Sequence, residues 1–189
     1  MNRAARLVAA VLPLAGLAGL WAISDHTYPQ GTDWEVPIMG YDPRDLLRGH
    51  YVEFSYDWPG LDEARLGQPL DDLCLSGNAP VITRAEPVGD DTALAICPHP
   101  LRANPAALYG RESLRQGRLY VGQDRAMALQ QQLQNRDQRG IVTIRQRADG
   151  SFTPLAIRFR PLTAEEKAAR DAQSERAEEL LPPPAAITR

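Results

Sequence analysis

Three histidines, a single lysine and two cysteines set the limits of the chemistry available to this 189-residue chain. A serine hydrolase needs a base beside its nucleophile, either a histidine or a lysine whose pKa is depressed. Lys167 lies in a highly charged stretch, where its ammonium should stay protonated. His26 follows an apolar run and His99 stands between Pro98 and Pro100, which leaves His50 as the candidate base. It has no Gly-x-Ser-x-Gly elbow to serve, and neither His-x-x-x-His nor Cys-x-x-Cys spacing occurs. No metal site and no cofactor are therefore expected, and a phosphate-cradling glycine loop is also absent. What remains is a cluster in one short segment: Arg44, Arg48, His50, Tyr51 and Glu53. Such a group could bind an anion or a partner protein.

The elements around this cluster explain most of its residues without chemistry. Asp42 is a good N-cap, Pro43 fits the first helical position, and Asp45 stands where the acid of a capping box would. Gly49 suits the left-handed residue that ends a helix. From Tyr51 to Tyr56 the chain alternates, placing Val52, Phe54 and Tyr56 on one face and Tyr51, Glu53 and Ser55 on the other. A short helix thus feeds directly into a strand.

Further strands are predicted at Trp34–Met39, Val81–Arg84, Thr92–Cys97 and Gly117–Val121. Pro37 lacks a backbone donor, so the first of these is expected at an edge or a bulge. Asp124–Gln138 reads as a helix, and Ile141–Arg147 with Ser151–Arg160 as a hairpin turning at Asp149-Gly150. Arg145, Arg147, Arg158 and Arg160 should decorate its solvated face. Thr163 and Glu166 form a capping box opening a charged helix to about Leu181, before the tail at Pro182-Pro183-Pro184.

Residues 7–23 are apolar, broken by Pro13, Gly16 and Gly19, and follow a basic tip containing Arg3 and Arg6. About 17 residues is the lower limit for a spanning helix and the upper range for a signal-peptide core. An uncleaved anchor is the leading expectation, with a cleaved signal peptide as the alternative. The basic flank would stay cytoplasmic and leave the bulk of the chain outside. Cys74 and Cys97 would then meet an oxidising compartment in which a disulfide can persist, although two buried thiols would also satisfy the sequence. A net charge of -3 argues against nucleic acid as a partner.

Asp42-Pro43-Arg44-Asp45-Leu46-Leu47-Arg48-Gly49-His50-Tyr51-x-x-Phe54-x-Tyr56 resembles the signature of the GDYXXLXY family. The resemblance continues through Tyr109-Gly110, Gly117-Arg118-Leu119-Tyr120-Val121, a helix, and a hairpin with Asp149-Gly150. His50 replaces the family's aspartate and Phe54 its leucine. The resemblance implies a small bacterial protein with an N-terminal anchor and no established reaction. It also implies an accessory role, since such genes often neighbour those of polytopic membrane proteins.

The expected architecture is α+β: a mostly antiparallel β exterior domain with short helices, preceded by one N-terminal transmembrane helix. Its segments are a basic tip (1–6), an anchor (7–23), a tether (24–33), the β-rich domain (34–162) and a charged helix with a proline-rich tail (163–189). The expected function is a non-enzymatic binding or accessory module for a membrane protein, at the bacterial cytoplasmic membrane with its bulk outside. A hydrolase using His50 is the alternative. The candidate site residues are Asp42, Arg44, Arg48, Gly49, His50, Tyr51 and Tyr56, with Cys74 and Cys97 as the candidate disulfide.

Overall fold

The structure, a computed structural model, describes residues 3–39, 51–61, 70–122 and 137–179, with Arg125, Ala128, Leu129, Gln132 and Asn135 besides. Helix α1 (Arg3–Thr27) leads into strand β1 (Thr32–Met39). There follow β2 (Tyr51–Tyr56), β3 (Asp72–Asn78), β4 (Val81–Pro87), helix α2 (Asp91–Ala95) and β5 (Pro100–Arg102). A 3-10 turn (Gly110–Leu114) precedes β6 (Gln116–Tyr120), β7 (Gln138–Gln146), β8 (Phe152–Pro161) and helix α3 (Ala164–Glu179).

All eight strands join one sheet, ordered β5-β3-β4-β1-β2-β6, with β7 and β8 attached through β1. Every pairing is antiparallel except β1 with β4. The sheet curls around one core, so that β8 approaches β6 without pairing to it. Trp34, Val36, Val52, Leu73, Leu75, Leu101, Val142 and Ile144 are almost wholly buried in that core. Removing the side chain of a residue such as Trp34 would cost about 3–5 kcal/mol.

β1 is the most connected strand, and Pro37 is not at an edge. β7 pairs with β1 from Thr32 to Ile38. On the opposite side Glu35 donates its N–H to the Pro80 carbonyl, and the Pro37 carbonyl accepts from Asp57. In an antiparallel strand the N–H and C=O of one residue point the same way. The donor that Pro37 lacks would therefore point to the place where β1 changes partner from β4 to β2. A missing hydrogen bond costs little there, which is why proline is tolerated inside the sheet.

The segment 92–97 is also not a strand. Asp90 caps α2 by accepting the Ala93 N–H at 2.7 Å, and Leu94 is buried. Cys97 lies just past this helix and is bonded to Cys74 of β3, with Cα atoms 5.8 Å apart. The bond staples α2 to the outer face of β3. The predicted hairpin is present as β7 and β8, with Gly150 supplying φ +84° at the turn. Its arginines are not simply solvated: Arg145 pairs with Asp33, Arg158 with Glu35 and Arg160 with Glu166. The capping box is formed, with Glu166 accepting from Thr163 N and donating its own N–H to Thr163 Oγ1. Hydrogen bonds from Arg160 hold the Glu166 carboxyl down to about 2.

α1 ends at Thr27, leaving residues 28–31 between helix and sheet. Among the described residues, no helix is long and apolar enough to cross a membrane. The expected helix over 124–138 lies largely outside the described residues, and Gln138 itself opens β7.

Closing a loop of 23 residues by the Cys74–Cys97 bond should stabilise the fold by about 3 kcal/mol. Urea denaturation with and without reductant measures this. A midpoint that reduction leaves unchanged would contradict it.

Candidate functional site

Pairing of β2 with β6 brings the two tyrosines of the sequence signature to one place from opposite faces of the strand. The register sets Tyr51 opposite Tyr120, Glu53 opposite Arg118, and Phe54 opposite Gly117. Tyr51 and Glu53 thus share the outer face with Arg118, while Phe54 and Tyr56 face the core.

On the outer face, Arg118 lies over the Tyr51 ring, 3.7 Å from its centroid. Its Nε reaches Glu53 Oε1 at 3.1 Å, and the pair is also bonded through Nη2. Tyr109 donates its hydroxyl to the same Glu53 oxygen at 2.5 Å. These bonds, from Tyr109 first and then Arg118, hold the Glu53 carboxyl below the ordinary 4.5. Burial and the bond to Glu53 push the Tyr109 hydroxyl up to about 12. Burial opposes the charge on Arg118, but hydrogen bonds to Glu53, Tyr120 and Tyr109 outweigh it and raise its pKa. The cluster fixes the 103–109 loop against β2 and β6.

Behind the loop lies a cavity of about 400 Å³ between the edge of β6 that pairs with no strand among the described residues, the start of β8 and residues 102–109. Its floor is aromatic. Tyr56 stacks on Trp58 at 5.1 Å and meets Phe54 and Phe152 edge-on, at 5.3 and 6.0 Å. Trp58 is anchored by donating Nε1–H to the Leu114 carbonyl at 2.6 Å. Gly117 permits this packing: a Cβ there would lie 2.5 Å from Phe54 Cε2 and 2.7 Å from the Tyr56 hydroxyl. Burial pushes the Tyr56 hydroxyl pKa up, so it stays a neutral phenol facing the cavity. At the mouth, Leu108 and Tyr120 are 65% and 73% exposed.

Of the candidate site residues, Tyr51 and Tyr56 fall at this site. Asp42, Arg44, Arg48, Gly49 and His50 lie outside the described residues. Tyr109, Arg118, Tyr120 and Phe152 were not among the candidates. One signal for Arg118 existed, since Glu53 and Arg118 have the alternation that would make them an opposite-charge cross-strand pair. Among the described residues, no group of three or more His, Cys, Asp or Glu could hold a metal. The cavity carries Asp149, whose carboxyl is held below its ordinary value first by the Ser151 side chain and then by the Ser151 N–H, which it accepts at 2.9 Å. A carboxylate so stabilised is a poor base for activating a serine.

The profile of the GDYXXLXY protein family matches residues 13–157, and the chain belongs to that family. No curated protein and no solved structure matches the chain. Within the family signature, Tyr51 covers Arg118 and Tyr56 floors the cavity.

The ionisations have a definite pH signature. The Glu53 contribution to stability is present above its unfolded value of 4.5 and is lost as pH falls through the depressed folded value. The Tyr109 contribution is present below its unfolded value of 10.0 and is lost as pH rises through about 12. Glu53→Gln should cost about 1–2 kcal/mol near neutrality, remove part of the acid limb, and bring the phenolate absorbance of Tyr109 partway back towards 10.0. An acid limb and a Tyr109 titration both unchanged by this substitution would rule out the cluster.

Proposed function

We propose that this protein is a membrane-anchored, non-catalytic binding module that holds part of a membrane protein in the cavity between β6 and β8. The observation that carries this reading is the exposure of α1. Every described side chain of the helix is exposed, including Leu12, Leu14, Leu17, Leu20, Trp21 and Ile23. A soluble domain does not normally leave so much apolar surface in water. The described side chains run continuously only from Val11, but in sequence the apolar run begins at Leu7. Residues 7–23 in a bilayer, with Arg3 and Arg6 on the cytoplasmic side, would relieve that exposure. The Cys74–Cys97 bond agrees with an oxidising, extracytoplasmic location for the β domain.

The short connection restricts where the partner can be. Arg145 donates Nε–H and an Nη2 hydrogen to the two oxygens of Asp33, at 2.7 and 2.8 Å. Its Nη1 donates to the Tyr28 carbonyl at 3.1 Å, and its guanidinium faces the Tyr28 ring. The end of α1 is thus tied to the first strand. A β domain held this close to the bilayer would meet segments of its partner that emerge near the membrane surface. Its aromatic cavity with an exposed rim suits recognition.

Two measurements test the reading. The full-length chain should stay with the membrane fraction in high salt and alkaline carbonate and be released by detergent; release by salt alone would refute the anchor. Ala107→Trp should fill the cavity and reduce co-purification of a polytopic partner from detergent extracts at least tenfold. Recovery at the wild-type level would exclude the cavity as the binding site.

A further inference from the structure

Resting on the reading of the cavity as a binding site, we infer that its ligand is an extended peptide that adds as a strand to the edge of β6 left unpaired among the described residues and places an apolar side chain over Tyr56. The backbone register supports this. Tyr56 donates its N–H to the Arg115 carbonyl, and the β2–β6 pairing continues in step from there. Groups of Arg115, Gly117 and Leu119 therefore face β2, and those of Gln116, Arg118 and Tyr120 face the other way. Gln116, Arg118 and Tyr120 all line the cavity. They present a row of amides and carbonyls at strand spacing along one wall.

The opposite wall explains why β8 does not close on β6. Arg147 donates to the Ser151 carbonyl, so the alternating register turns Phe152 and Pro154 away from β7 and towards the gap. Pro154 has no N–H to give. β8 thus supplies an aromatic wall and an incomplete edge, and the hydrogen-bonding capacity at the gap belongs mainly to β6. An unpaired edge beside a pocket for alternate side chains is the arrangement used in recognition by strand addition. Arg118, in the middle of this edge, is held in place by Glu53, which also accepts from Tyr109. A partner segment near the bilayer surface with alternating apolar and small polar residues would satisfy both the edge and the aromatic floor.

The test uses the full-length protein in lipid nanodiscs and fluorescein-labelled octapeptides alternating threonine with leucine, phenylalanine, tyrosine or valine. Fluorescence anisotropy should show saturable binding of at least one of them. For that peptide, N-methylation of the alternate amides that face β6 should weaken binding at least tenfold, and methylation of the other set should have a much smaller effect. If both methylated series bind equally, or if no peptide binds and palmitate saturates the site instead, strand addition is wrong and the cavity reading stands. If no peptide binds while Ala107→Trp still abolishes partner co-purification, strand addition is again wrong and the binding site survives. If Ala107→Trp leaves co-purification intact, the underlying reading fails, and the inference with it.

Discussion

Pro37 can donate no backbone hydrogen bond, and the sheet is arranged around that gap. β7 occupies one whole side of β1, the side to which a donor at Pro37 would not point. On the other side β4 meets β1 at Glu35, and β2 takes over at Ile38 and Met39. This change of partner lets a single sheet branch at its central strand and curl round one core. It also offsets β2, carries β6 with it, and leaves β6 and β8 as two edges that approach without joining. The cavity is the space left between those edges.

What fills the walls of that space follows from strand alternation. One face of β2 contributes Tyr56 to the aromatic floor, and the other contributes Tyr51 and Glu53 to the cluster that restrains Arg118 and Tyr109. The same six residues therefore build the core side and the loop side of the site. A family signature with tyrosines at positions of opposite parity makes structural sense on these terms. Each tyrosine answers to a different face.

Features legible in the sequence depended on local physics. The alternation of Tyr51–Tyr56, the Asp149-Gly150 turn and the Thr163–Glu166 capping box each occupy a few consecutive residues, and all are present. The 92–97 segment departs from the expected strand because Ala93-Leu94-Ala95-Ile96 is a short apolar run, for which periodicity cannot separate strand from helix. The deciding residue was Asp90, which caps a helix just outside the run. The placement of Pro37 depends on two strands meeting opposite it, and no neighbouring residue signals that. The site is equally non-local: Tyr109 and Arg118 reach Glu53 across 56 and 65 residues of chain. The Arg145, Arg158 and Arg160 pairs were likewise hidden, because their acids lie on β1 and at the start of α3.

The central claim is that the mouth of this cavity is where a membrane protein partner is held. A photo-crosslinking residue in place of Tyr120, at the rim, and in a second variant in place of Val81, an exposed position on β4, tests it in intact membranes. The account predicts that irradiation joins the Tyr120 variant to one polytopic membrane protein and leaves the Val81 variant uncoupled. Equal coupling from both positions, or none from Tyr120, would contradict it.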